Sequence, residues 1–173
     1  MTRRLSLLIS WAATALLVLV PLAAIYYLAD LAAFAKLARV SIGLPIQWQT
    51  VTQAQVLALW TLTALYVSIG LAGLHYLRRA FAHFAQGELF NSANSRDLRR
   101  FAILLLIHAL ASPLHFALSS VLLSLNHPAG QKMLSIAFGS NELKAIGVAL
   151  VFWVMSNLLV EGGRLQTENQ QFI

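Results

Sequence analysis

Long apolar runs separated by short polar stretches set the pattern of this chain. Leu5 to Leu28 carries no charge, Val56 to Leu77 is closed by Arg78 and Arg79, and Phe101 to about Leu125 is opened by Arg99 and Arg100. A weaker fourth run covers residues 143–161 and is charge-free only from Ala145 to Val160. A helix needs about 20 mostly apolar residues to cross a bilayer. The pattern therefore predicts four spans, at about 5–28, 56–77, 101–125 and 143–161. The runs are continuous rather than alternating, and Leu and Ala dominate them, which argues against barrel strands. The expected fold is all-α: an integral membrane four-helix bundle forming a single domain. The basic start MTRR resembles a signal peptide, but its apolar run exceeds the about 7–15 residues of a cleaved one. A retained signal anchor is expected.

The connections carry the polar residues. Asp30 to Val40 places apolar residues on one helical stripe, with Lys36 and Arg39 off it. Two readings stand: a helix lying on the outer membrane surface, or an extension of the first span. His127-Pro128-Ala129-Gly130 is a turn, and the short apolar stretch after it is expected at the interface. Ser140 is the expected N-cap of the last helix, with Glu142 in its first turn. Lys144 is expected to reach outward along its stem. Residues 78–100 form the elbow between spans two and three. Phe81 and Phe84 share a face there, Gly87 stops the helix, and Asn91 or Ser92 caps the next one. Leu89 and Phe90 are expected to fold back on the bundle or enter the headgroup layer. Asp97 can pair with Arg100 at i, i+3.

Composition agrees with a lipid environment. The chain is 59% hydrophobic and 10% charged, against about 25% charged in soluble domains. The net charge of +6 is read as topology and anionic-headgroup contact rather than nucleic-acid binding. Arg3, Arg4, Arg78, Arg79, Arg96, Arg99, Arg100 and Arg164 all fall on one side of a four-span chain. The positive-inside rule assigns that side, with both termini, the elbow and the tail 162–173, to the cytoplasm. With no cysteine, disulfides and thiolate chemistry are excluded.

Two segments carry a family resemblance. FAQGELF at Phe84 to Phe90, with Asn94 and then Leu98-Arg99-Arg100, is one; EGGRLQTEN at Glu161 to Asn169 is the other. Together they resemble the bacterial four-span membrane proteins of the domain-of-unknown-function 2975 family. The end Gln170-Gln171-Phe172-Ile173 departs from the Thr-Val-like ending common in that family. The resemblance implies a multi-pass protein of the bacterial inner membrane without an established catalytic activity. Family members are often encoded beside a small helix-turn-helix regulator, which implies a membrane-linked regulatory pair.

The remaining chemistry is sparse. No Gly-x-Ser-x-Gly, P-loop, His-Glu-x-x-His or dinucleotide fingerprint occurs, so no enzyme is predicted and no cofactor is assigned. The acids are Asp30, Glu88, Asp97, Glu142, Glu161 and Glu168, and none falls in the middle of a predicted span. That argues against ion-coupled transport. His108 and His115 share a face of span three, and His75 is expected near the depth of His108. Haem ligation, a quinone-linked electron carrier, part of a proton path, or plain interhelical hydrogen bonding or contact with the inner headgroups are the readings. Pro113 is expected to kink span three. Ala64, Ser68 and Ala72 form a small-residue ridge, with Gly70 and Gly73 beside it, for internal packing or a homo-oligomer. Asn157 is expected to bond another helix, and Glu161 to meet Arg78, Arg79 or Arg100 or to stay solvated. The leading expectation is a non-enzymatic, partner-binding membrane protein. Its surface would comprise Gly87, Phe90, Asn94, Arg96, Leu98, Arg99, Arg100, Glu161 and Arg164. The alternative is that its arginines only fix topology and bind anionic lipid. A subunit of a small oligomeric channel or transporter is the other class considered.

Overall fold

The structure, a computed structural model, describes residues 2–87 and 92–170, with side chains described at 3–87 and 92–165. Five helices account for almost all of it: α1 (Thr2–Ala29), α2 (Leu31–Ile42), α3 (Gln53–Gln86), α4 (Ser92–Ser124) and α5 (Ser140–Gln170). There is no strand among the described residues. Helices α1, α3, α4 and α5 are each long and apolar enough to cross a membrane. The chain is thus a multi-pass helical membrane protein in its architecture.

Local chemistry sets the boundaries. Asp30 ends the first span because its carboxylate accepts the Ala33 N–H at 2.9 Å and starts α2. That settles the reading of Asp30 to Val40 as a separate helix, closed by Gly43 at φ +63°. Thr52 and Gln55 make a reciprocal capping box at the start of α3. Gly87 closes α3 at φ +91°, its N–H reaching the carbonyls of His83 and Phe84. Pro21 and Pro113 lie inside continuous helices. Gly162 and Gly163 do not interrupt α5, which carries the tail on as helix to Gln170.

Packing follows chain order: α1 lies on α3, α3 on α4 and α4 on α5. Successive partners are antiparallel, so both termini lie at one end with the arginine clusters. At the opposite end α2 folds over the helix tips. Phe34 and Ala38 join Ile46, Val56, Leu59 and Leu123 in a buried cluster. A polar network ties the loops beneath. Gln55 Nε2 donates to the Leu122 carbonyl at 2.7 Å, and its Oε1 accepts from Asn126 at 2.9 Å. His127 is a buried brace: Nε2 accepts the Gln47 N–H at 3.1 Å while Nδ1 faces the Gln131 carbonyl.

The close approach of α3 and α4 runs through Gly70 and Gly73 rather than the Ala64, Ser68, Ala72 ridge. A Cβ on Gly70 would sit 3.4 Å from the His108 ring, and one on Gly73 3.4 Å from Leu104 Cβ. Ser68 and Ala72 are exposed on another face. Small residues let backbones approach where no hydrophobic force drives helices together.

Candidate functional site

At the arginine end the elbow is held from inside. Asp97, with its side chain 3% exposed, lies 3.2 Å from Arg79 Nε of α3 as an ion pair and 4.0 Å from Arg100. The Arg100 contact follows from i, i+3 spacing; the closer Arg79 partner joins two helices and was not read from the sequence. Leu98 and Asn94 are fully buried. Arg99 stacks over the Trp153 ring at 5.4 Å and Arg100 over Tyr76 at 5.2 Å. Of the expected docking residues, Asn94 and Leu98 are therefore interior, and Arg99 and Arg100 rest on aromatic rings of the bundle. Arg96, Gly87 and Arg78 are exposed. Glu88, Leu89, Phe90 and Asn91, and the terminal Phe172-Ile173, lie outside the described residues.

Removal of the two ion-pair members should not be equivalent. Asp97→Asn leaves an exposed guanidinium that water solvates, so a loss of under about 1 kcal/mol is expected. Arg79→Gln leaves a buried carboxylate without its nearest cation, and about 1–3 kcal/mol is expected. Thermal unfolding of both variants in micelles checks the order; equal losses would mean the carboxylate does not depend on Arg79.

Past Trp153, α5 continues beyond the level of the arginines. Asn157, Val160, Glu161 and Arg164 fall at i, i+3, i+4 and i+7 and are all exposed. Among the described residues Asn157 bonds no other helix, contrary to the sequence expectation, and Glu161 meets none of Arg78, Arg79 or Arg100 and is exposed, the second of its two expected readings. The buried polar group of this turn is Ser156, whose hydroxyl donates to the Trp153 carbonyl at 2.7 Å.

In the interior, Tyr66 of α3 lies between two imidazoles of α4, stacked on His108 at 4.1 Å and on His115 at 4.6 Å between ring centroids. Thr63 Oγ1 lies 3.2 Å from His115 Nε2. Thr63 also lines an apolar cleft of about 510 Å³ between α1, α2 and α3, walled by Pro21, Tyr27, Phe34 and Trp60. His75 does not join this group. It is exposed and packs edge-on against Tyr76. Since Gly70 faces His108 and Gly73 faces Leu104, His75 lies about 7 Å nearer the arginine end. Two imidazoles held against opposite faces of one tyrosine cannot both face a single haem iron. Among the described residues no group of three or more His, Cys, Asp or Glu side chains could hold a metal.

The largest departure from expectation is the fourth span. Thr63 meets His115 and Gly70 lies against His108, and these two contacts straddle the centre of the 56–77 run. Ser112, between the histidines, therefore lies level with the middle of that run. Its hydroxyl donates to Glu142 Oε1 at 2.8 Å, and Glu142 Oε2 accepts the Gly139 N–H at 2.8 Å. Phe101 packs edge-on against Phe152 at 4.9 Å, and Arg99 covers Trp153. Helix α5 thus begins beside Ser112, partway along α4, and runs from there toward the end that holds the termini. Met133 to Gly139, without helical structure, leads into it. Met133 N–H donates to Ser124 Oγ at 2.9 Å and Ser135 N–H to Ser120 Oγ at 2.9 Å, so the segment descends along α4. The apolar stretch after the His127 turn lies alongside α4, and Glu142 lies level with Ser112. The missed signal is Met133 to Val160, a single apolar stretch broken by Ser140, Asn141, Glu142 and Lys144.

No protein-family model matches this chain, and comparison with curated proteins and with solved structures finds no significant match.

Proposed function

We propose that this is a non-enzymatic protein of the bacterial inner membrane that docks a cytoplasmic partner on its arginine end. The observation that carries this reading is the helical arm of α5 beyond the arginines. It exposes Asn157, Val160, Glu161 and Arg164 on one face, with Arg78 and Arg96 exposed on the neighbouring helices. A helix that presents exposed side chains at i, i+3, i+4 and i+7 offers one continuous face to a partner. The buried Asp97 and Leu98 support it by holding the start of α4 against α3, which lowers the ordering cost of binding. Positive-inside placement puts this end in the cytoplasm. The resemblance to the 2975 family directs the search for a partner to small helix-turn-helix regulators.

The test is cross-linked capture from native membranes of wild type and an Arg96→Gln/Val160→Gln/Arg164→Gln variant. These positions leave the Arg79–Asp97 pair and the Arg99 and Arg100 ring contacts intact. One soluble protein enriched with wild type and lost with the variant supports docking. Equal recovery, or capture of anionic lipid alone, means the arginines set topology and bind headgroups.

A second reading, a quinone-linked carrier, is favoured by one observation: Thr63 both lines the apolar cleft and meets His115. Solvent extraction of purified protein should then yield a quinone that a Thr63→Val variant lacks.

A further inference from the structure

We propose that a second copy of this chain covers the outer face of the interrupted fourth span, with Asn141 and Lys144 of each protomer meeting polar groups of the other at mid-depth. Helix α5 ends the packing series, and α4 covers only the side bearing Glu142, Ala149, Phe152 and Ser156. Away from that side Asn141, Lys144, Val148, Val151 and Met155 are all exposed. Their spacing alternates three and four residues. That is the seam of two helices wound together left-handedly, a common packing in membranes as in water.

The polar end of this seam cannot rest in lipid. Lys144 makes no hydrogen bond or ion pair among the described residues. With residues 101–125 of α4 as the bilayer-crossing run, the Glu142 turn lies at mid-depth, about 15 Å from either surface and beyond a lysine stem of about 6 Å. The N–H groups of Leu134, Ile136, Ala137 and Phe138 have no hydrogen bond among the described residues either. Irregular backbone at this depth is tolerated only where protein or water covers it.

A second copy fits these needs better than another partner. A two-fold axis along the membrane normal brings like depths together, so the two polar bands meet without any adjustment. The band is self-complementary. Lys144 and the free N–H groups donate, while the Asn141 amide oxygen and unpaired carbonyls accept. A polar residue at one seam position also fixes register and the number of helices. This surface lies on the opposite side of α5 from the docking face of Val160 and Arg164, so either proposal can fail alone.

The chain has no cysteine, so single-cysteine variants can be oxidised in native membranes without a background. Val148→Cys and Val151→Cys test the seam; Leu150→Cys on α5 and Leu65→Cys on α3 are exposed controls. The proposal expects disulfide-linked dimers at least fivefold more abundant at the seam positions. It further expects Asn141→Ala/Lys144→Leu, added to Val148→Cys, to lower that yield severalfold. Yields equal to the controls, adducts with a different protein, or a yield unchanged by the double variant would overturn it.

Discussion

Replacing Leu98 with Ala is expected to destabilise the elbow by about 2–5 kcal/mol, the usual loss for a fully buried leucine. Leu98 is 1% exposed and lies beyond the apolar part of α4, near the arginines. Here water is the alternative environment and the full hydrophobic effect applies. The cavity left beneath α4 would also loosen Asp97, its neighbour, and with it the link to Arg79. Limited proteolysis in micelles should show cleavage within residues 78–100 rising at least tenfold, since about 1.4 kcal/mol is a factor of ten. Spans deeper in the membrane should remain protected. Unchanged cleavage would mean the elbow is not held by this contact.

Gly73→Leu carries the second large effect. The glycine is buried at the point where α3 and α4 come closest, and a Cβ there would already stand 3.4 Å from Leu104 and 3.7 Å from Phe101. A leucine adds three more carbons and has to push the helices apart. Overpacking typically costs about 1–3 kcal/mol. The consequence here is wider because α3 and α4 form the middle of the series. Separating them breaks the Tyr66 stack with His108 and His115 and moves Arg79 away from Asp97. The expected result is a lower thermal midpoint in micelles. Gly73→Ala should lose less, because its single carbon sits at ordinary contact distance. Equal midpoints for both variants would place the close approach elsewhere.

The spans and the common end of the two termini follow from run length and arginine placement because lipid imposes those constraints along the chain itself. The Gly87 stop and the Asp97–Arg100 pair are local and were equally readable. What escaped the sequence depends on depth between helices. Arg79 meets Asp97, and His75 stays away from His108, only because of the antiparallel register. Glu142 was read as a first-turn acid at a helix start, which it is. Nothing local showed that this helix starts beside Ser112 instead of at the membrane surface. Run length misleads there, because an extended segment needs fewer residues than a helix to cover the same depth.

Helix α5 starts beside Ser112, so its first turn is expected at mid-depth in a bilayer. The direct measurement is fluorescence quenching of a bimane label on Ser140→Cys, in bilayers of phospholipids brominated at successive acyl-chain positions. The account predicts strongest quenching by bromines near the chain ends, with labels at Lys132→Cys and Arg164→Cys quenched far less. Strongest quenching of the Ser140 label by bromines next to the headgroups would put the start of α5 at the membrane surface. The fourth span would then be a continuous helix, contradicting the account.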